Sequence, residues 1–206
     1  MCGISAYISE NENILQFLVK SIENLQNRGY DSTGVSVVCG GKIKTVKFAS
    51  TNKESAVSKL KSNLPSTLTS TVGIAHTRWA THGKKSDENS HPHVSNDGRF
   101  ALVHNGIIEN YQILKDELLD DGYTFFSDTD SEVVVNLIQK LYDGDMVSTL
   151  NKVNKLLEGS WAICVLFDEN IYATKKDNPL VFDVENKIIS SEIAGFCNKT
   201  KKYIIV

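Results

Sequence analysis

The stretch Met1-Cys2-Gly3-Ile4-Ser5-Ala6-Tyr7-Ile8 opens the chain and places a cysteine directly after the initiator methionine, at the start of a short apolar strand. Small second residues usually allow removal of the methionine, which would make Cys2 the first residue. Its thiol would then lie beside its own α-amino group, whose ordinary pKa of about 7.7–8.0 lets the neutral amine accept the thiol proton. Nucleophile and base would thus belong to one residue. The alternative is that Cys2 only begins a buried strand.

Outward from this strand, the hydrophobic pattern predicts further strands and helices along the whole chain. The predicted strands are Ile4–Ile8, Gly34–Val38, Lys42–Phe48, Val72–Ala75, Phe100–Val103, Trp161–Phe167, Ile171–Thr174 and Tyr203–Val206. The predicted helices are Asn13–Leu25, Glu54–Leu60, Ile107–Leu119, Ser131–Leu141 and Asp145–Leu157. Because the strands come in runs instead of alternating with helices, we expect one α+β domain over residues 1–206. The polar segment 80–98 is predicted to be a functional loop.

Composition excludes several classes of protein. The chain has 206 residues with a net charge of −3, and 41% of its residues are hydrophobic, as in an ordinary globular domain. No basic patch predicts nucleic-acid binding, and no apolar stretch is long enough to predict a membrane span. The N-terminus lacks the features of a signal peptide, and none of the four cysteines forms a C-x-x-C pair. We therefore expect a cytoplasmic protein with free thiols.

All five histidines lie within residues 76–104, which raises the question of a metal site. They are His76, His82, His91, His93 and His104. The sequence contains no H-E-x-x-H motif, and no acidic or cysteine residue stands at ligand spacing from 91–93. We therefore predict that these side chains form the polar wall of a pocket and bind no metal.

Three polar positions at the ends of predicted elements could bind a charged substrate. Arg78 can hold a carboxylate with two parallel charge-assisted bonds, or it forms a surface salt bridge. Asn105 and Gly106 can donate to an oxyanion, or they form an Asn-Gly turn. The segment 127–132 fits a helix cap in which Ser or Asp caps and Glu lies in the first turn. A functional aspartate in that segment could instead bind an ammonium group.

Taken together, these segments resemble the glutaminase domain of the glutamine–fructose-6-phosphate aminotransferases, a branch of the class II glutamine amidotransferases. The resemblance runs in order from residue 1 to about residue 167 and is carried by residues 1–4, 28–32, 76–83, 90–93, 104–110 and 128–130. It implies a four-layer αββα N-terminal-nucleophile hydrolase fold with two stacked, mainly antiparallel sheets. It also implies L-glutamine as substrate, with neither a cofactor nor a metal.

The resemblance implies a role for each residue of the reacting centre. Cys2 would be the nucleophile and its freed α-amine the base. Asn105 and the N–H of Gly106 would form the oxyanion hole. Arg28 would support the surroundings of the nucleophile, and His91 would lie nearer the rim of the pocket.

The resemblance also implies which residues recognise glutamine. Arg78 would hold its α-carboxylate, with Thr81 and His82 lining the same loop. Asp130 would bind its α-ammonium group. Trp79 would gate the passage of ammonia toward an acceptor site.

The chain departs from the family toward its end. Asn178 stands where a glycine is usual, and Ser191-Glu192 stand where Ser-Asp is usual. The chain stops before this domain normally ends, so we expect a glutaminase domain truncated at its C-terminus and without the sugar isomerase domain. The implied activity is hydrolysis of glutamine to glutamate and ammonia through a γ-glutamyl thioester. A separate sugar isomerase chain or domain would accept the ammonia.

Two questions stay open at the level of the sequence. The alternative to an enzyme is a non-catalytic module that senses glutamine or binds a synthase chain. A homo-oligomer is likewise neither predicted nor excluded.

Overall fold

A computed structural model describes residues 2–79, 84–200 and 202–205. Its strands are β1 (Gly3–Ile8), β2 (Ser32–Cys39), β3 (Lys42–Ala49), β4 (Val72–Arg78), β5 (His93–Val94), β6 (Phe100–Ile108), β7 (Gly159–Phe167), β8 (Asn170–Lys176), β9 (Val181–Asp183), β10 (Ile188–Ser190) and β11 (Ile204–Ile205). Its α-helices are α1 (Leu15–Asn24), α2 (Ala56–Asn63), α3 (Tyr111–Asp120), α4 (Asp130–Leu141) and α5 (Met146–Leu156). Short 3-10 helices cover Gln26–Arg28 and Ile193–Phe196.

Within the described residues, the strands form two antiparallel sheets. The larger sheet has the order β11-β9-β10-β1-β4-β2-β3, and the smaller sheet has the order β5-β6-β7-β8. β1 thus lies in the middle of the larger sheet, where β4 and β10 flank it. The residue before β1, Cys2, is held at one end of this central strand.

The two sheets stack face to face, and helices cover their outer faces. Side chains of β1 alternate between the two sides: Ile4 and Ala6 pack against the smaller sheet, while Tyr7 packs with α1. The apolar side of α1, including Leu18 and Ile22, covers the outer face of the larger sheet. Helices α3, α4 and α5 cover the smaller sheet. The chain therefore has the four-layer αββα sandwich that the resemblance implies.

Most predicted elements are present, but several of their ends differ, and β5, β9 and β10 have no counterpart among the predicted strands. The strands predicted over Gly34–Val38 and Lys42–Phe48 are confirmed as β2 and β3, and Gly40 and Gly41 turn between them with positive φ. The hydrophobic pattern predicts a helix from Ile107, but β6 continues through Ile108, where it pairs with Gly159. Helix α3 begins only at Tyr111. Backbone pairing with β7 extends β6 beyond its apolar first half.

Among the described residues, no helix combines the length and the apolar character needed to cross a bilayer.

Candidate active site

The candidate site lies where β1, β4, β6 and the start of α4 meet. Gly3 pairs with Thr77 across β1 and β4, so the residues that adjoin this pair, Cys2 and Arg78, share one end of the larger sheet. A small cavity of about 30 Å³ opens there. The described residues that line it are Cys2, Arg78, Trp79, His91, His104, Gly106, Thr129, Asp130 and Ser131. That volume holds about one water molecule.

Cys2 is fixed through both its backbone and its thiol. Its carbonyl oxygen accepts hydrogen bonds from Arg28 Nε and from Asn105 Nδ2, each at 2.8 Å. The Trp79 backbone N–H donates to Cys2 Sγ at 3.3 Å. Burial raises the pKa of the Cys2 thiol, and the Trp79 N–H and the Arg78 guanidinium oppose that shift. The thiol is therefore protonated at neutral pH and needs a base before it can attack.

The Arg28 side chain forms an ion pair with Glu192, a position at which the sequence departs from the family pattern. Arg28 Nη1 lies 3.2 Å from Glu192 Oε2, and Asn27 Nδ2 donates to the other carboxylate oxygen at 3.1 Å. The neighbouring Ser191 Oγ accepts the Ile4 N–H at 3.0 Å. The Ser191-Glu192 pair thus ties the turn that carries Arg28 to the start of β1. Sequence reasoning missed this contact because it joins segments far apart in the chain.

Asn105 and Gly106 lie inside β6, so the alternative of an Asn-Gly turn is wrong. Asn105 is buried, and its Oδ1 lies 3.0 Å from His76 Nε2. Gly106 has a φ of +136°, and a Cβ at this position would collide with the Ser160 carbonyl oxygen. Only glycine accommodates this backbone, because an L side chain would be strained and would clash. The backbone therefore approaches the cavity closely at Gly106.

Asp130 is the first residue of α4, and the side chain of Thr129 caps this helix. Thr129 Oγ1 accepts the Glu132 N–H at 3.4 Å, and the Glu132 carboxylate accepts the Ser127 N–H at 2.7 Å. The predicted glutamate in the first turn is confirmed, but the cap is Thr129 and not a serine or aspartate. Asp130 Oδ2 is thereby left to accept the Ile108 N–H at 2.9 Å. Its carboxylate faces the cavity from the helix end.

Arg78 is the last residue of β4, and only 4% of its surface is exposed. The alternative of a surface salt bridge is therefore wrong. Burial lowers the pKa of its guanidinium, while the nearby Cys2, Asp31 and Asp130 raise it. Arg78 and Asp130 consequently present opposite charges to one cavity.

Trp79 lies at the mouth of the cavity and is 45% exposed. Its ring packs edge-on against the exposed ring of Tyr30, with 5.6 Å between the centroids. The two other predicted residues of this loop, Thr81 and His82, lie outside the described residues. The aromatic pair Tyr30–Trp79 therefore borders the opening of the cavity that contains the Cys2 thiol.

Of the five histidines predicted to form a polar pocket wall, His91 and His104 line the cavity, and His76 and His93 pack against the ring of His91 behind it. His82 lies outside the described residues. Ser131 Oγ bonds His91 Nε2 at 2.8 Å and His104 Nδ1 at 3.0 Å, and His93 Nε2 bonds Thr129 Oγ1 at 3.0 Å. Burial lowers the pKa of each of these imidazoles, so they are neutral near pH 7. His91 lines the cavity from within the protein and not from its rim. Among the described residues, no cluster of three His, Cys, Asp or Glu side chains is arranged to hold a metal ion.

The αββα sandwich, with Cys2 directly before its central strand, is the fold of the N-terminal-nucleophile hydrolases. A family model described as a glutamine amidotransferase domain matches residues 76–197, and the chain belongs to this family. The structure of glutamine phosphoribosylpyrophosphate amidotransferase from B. subtilis shares the fold. It is 22% identical with a TM-score of 0.80, over 99% of this chain and 44% of that one.

Curated relatives are more similar to this chain in sequence than the B. subtilis structure is. A glutamine–fructose-6-phosphate aminotransferase (isomerizing) from Caldanaerobacter subterraneus subsp. tengcongensis is 42% identical over 98% of this chain and 33% of its own length. The enzyme of the same name from Fusobacterium nucleatum is 40% identical over 99% of this chain and 34% of its own length. The chain thus spans about a third of the length of these relatives.

Proposed function

We propose that this chain hydrolyses the side-chain amide of L-glutamine to glutamate and ammonia. The observation that supports this most is the small cavity that brings the Cys2 thiol together with a buried guanidinium and a carboxylate. Glutamine has one group for each: an amide carbon for the thiol, an α-carboxylate for Arg78 and an α-ammonium for Asp130. A two-point clamp of this kind orients the amide toward the nucleophile.

The reaction follows from the chemistry of these groups. The α-amine of Cys2, freed by removal of Met1, takes the thiol proton while Sγ bonds to the amide carbon. The negative charge that develops on the amide oxygen is stabilised by the Asn105 side chain and the Gly106 N–H. The protonated amine returns its proton to the departing nitrogen, and ammonia leaves a γ-glutamyl thioester. Water, deprotonated by the same amine, then hydrolyses the thioester to glutamate.

Supporting residues complete the proposal. Arg28 fixes the Cys2 carbonyl and with it the direction of the thiol, and His91 holds Ser131 beside Asp130. Trp79 is exposed at the mouth of the cavity, and we assign it the gating of ammonia. For Thr81 and His82, we propose the role in glutamine binding that the resemblance implies.

The names of the relatives suggest where the ammonia goes. We propose that residues 1–206 form one glutaminase domain that supplies ammonia for the synthesis of glucosamine 6-phosphate from fructose 6-phosphate. The acceptor site would belong to a sugar isomerase domain or chain. This part of the proposal rests on relatives of which the chain covers about a third.

The decisive experiment measures glutamate, ammonia and amino sugar after incubation of Met1-free protein with glutamine, with and without fructose 6-phosphate. We expect equal amounts of glutamate and ammonia, no amino sugar, and a rate that the sugar does not change. A ligand without differential affinity for two states of a protein shifts neither of them. A folded protein that binds glutamine without turnover would contradict the proposal and favour a regulatory module.

The clamp predicts a binding defect in two variants. Arg78→Lys keeps the charge but loses the planar fork, and Asp130→Asn loses the charge that binds the ammonium group. A charge-assisted hydrogen bond contributes about 1.5–3 kcal/mol, so KM for glutamine should rise about 10- to 100-fold in each variant. Steady-state kinetics of glutamate release measure this change.

Exposed residues provide matched controls for the clamp. Arg99→Lys and Asp116→Asn alter the same residue types on the surface and should leave KM unchanged. The clamp assignment would be wrong if glutamine analogues that lack either α-group reacted with the unsubstituted protein as fast as glutamine does.

A further inference from the structure

We infer that His76 is a positioning residue that holds the Asn105 side-chain amide with its NH₂ group toward Cys2. This inference deepens the proposed function and rests on it, because it matters for the reaction only if Asn105 donates to the oxyanion. Nothing in the motifs that carry the family resemblance assigns this contact.

The hydrogen bonds of His76 determine which ring nitrogen carries the proton. His76 Nε2 lies 3.0 Å from the backbone carbonyl oxygen of His104 and 3.0 Å from Asn105 Oδ1. A backbone carbonyl oxygen can only accept, so Nε2 must be the protonated nitrogen and must donate. The group of Asn105 that faces Nε2 must therefore be an acceptor, which is its carbonyl oxygen.

The contact of Asn105 Nδ2 independently indicates the same orientation of the side-chain amide. Asn105 Nδ2 lies 2.8 Å from the Cys2 carbonyl oxygen, which also only accepts. The amide thus has an acceptor at one end and a donor at the other, and each faces a complementary group. Its NH₂ carries a second N–H besides the one bonded to Cys2, and on the proposed function this N–H donates to the oxyanion that forms when Sγ attacks the amide carbon.

The surroundings of His76 keep the ring in place and uncharged. His76 is fully buried on β4, and its ring lies 4.2 Å from that of His91 at 32°. Burial lowers the pKa of His76 to about 3, and the nearby charge of Arg78 acts in the same direction. The hydrogen bonds to Asn105 and His104 oppose this shift. The imidazole therefore stays neutral near pH 7.

Without His76, the Cys2 carbonyl oxygen would be the remaining partner described here that distinguishes the two orientations of the amide, and the flipped orientation would become more populated. A flipped amide would point Oδ1 at the developing oxyanion and repel it, which destabilises the transition state and leaves the bound substrate unaffected. The expected signature is a fall in kcat with little change in KM.

The kinetic test is a double-mutant cycle between His76 and Asn105. His76→Leu should lower kcat about 10- to 100-fold and change KM by less than about threefold, since one preorganised donor is worth roughly 10²–10³ in rate. His76→Gln carries an N–H at the position of Nε2 and should recover most of the loss. In the Asn105→Ala background, His76→Leu should cost no further activity.

Two kinetic outcomes would overturn the inference. An equal loss from His76→Leu in both backgrounds would show a general structural effect in place of positioning. Failure of His76→Gln to recover more activity than His76→Leu would show that the Nε2 donor is not what matters.

A second measurement does not depend on activity. In ¹⁵N-labelled protein we expect the Nε2–H tautomer of His76, with no titration from pH 8 down to pH 5. An Nδ1–H tautomer, or titration near the ordinary histidine value of about 6.5, would overturn the inference. The expected tautomer in a folded protein without glutaminase activity would contradict the proposed function and leave the orientation of the amide supported.

Discussion

A single proteolytic cut directly before Cys2 should switch on the glutaminase activity of a protein that carries an N-terminal extension. In the uncut protein, the nitrogen of Cys2 is part of a peptide bond and has no basicity. Burial raises the pKa of the Cys2 thiol, so little thiolate exists at neutral pH without a base. The cut frees an α-amine beside the thiol, and glutamate release measured before and after cleavage reports the change.

The matched control for this experiment carries the same extension at the C-terminus, where the cleavage should leave the rate unchanged. Full activity in the uncut protein, with mass spectrometry showing the extension intact, would exclude the α-amine as base.

Replacement of the Cys2 thiol should reduce glutaminase activity about as strongly as blocking the α-amine does. Cys2→Ser puts a hydroxyl, which ionises far less readily, in place of the thiol, and we expect a loss of about 10⁴-fold or more. Removal of a protease nucleophile costs about 10⁶ in kcat, which sets the scale. Cys39→Ser is the control, because Cys39 is also half-buried but lies at the end of β2 away from Arg78. Comparable losses in both variants would contradict the assignment.

The sequence predicts β1 correctly and does not predict what lies beside it. Alternation of Ile4, Ala6 and Tyr7 is a local property that reflects which side of the sheet each residue faces. The pairing of Gly3 with Thr77 joins residues more than seventy positions apart. That pairing places Cys2 within hydrogen-bond distance of the Trp79 N–H, and no local pattern encodes it.

The strand β6 shows why a boundary near a site is hard to predict. Its first half, Phe100–Val103, is apolar and follows the strand pattern, whereas its second half contains His104, Asn105 and Gly106. Such residues usually end a strand, but here they continue it because β7 supplies backbone partners as far as Gly159. Of these residues, His104 and Gly106 line the cavity and Asn105 donates to the Cys2 carbonyl oxygen, so the local rule fails where the site needs polar groups.

The histidine wall is predictable as a group, yet its individual contacts are not. Clustering of the histidines within residues 76–104 indicates a shared polar environment. The partner of each ring depends on how β4, β6 and α4 come together, as the contacts of His76 with Asn105 and of His91 with Ser131 illustrate. Tertiary packing, and not spacing along the chain, decides which nitrogen donates to which oxygen.

Asn105→Ala should lower kcat for glutamine about 10²- to 10³-fold, or about 2.7–4 kcal/mol in transition-state free energy, with KM within about threefold of normal. The substitution removes an N–H that we propose is aimed at the oxyanion, whose charge exists only after Sγ has attacked. An interaction made only in the transition state lowers kcat and kcat/KM equally when it is lost. Single-turnover rates of thioester formation measure this step directly.

The Asn105→Asp variant tests the contribution of the donated N–H separately from the contribution of side-chain packing. The carboxylate has nearly the same shape and keeps an oxygen for His76 Nε2, but it replaces the NH₂ group with a negative charge beside the forming oxyanion. We therefore expect Asn105→Asp to lose at least as much kcat as Asn105→Ala, although it preserves more of the packing. Asn151→Ala, on the exposed side of α5, controls for loss of an amide elsewhere and should be silent. An Asn105→Asp variant more active than Asn105→Ala would mean that packing, and not the donated N–H, is what Asn105 contributes.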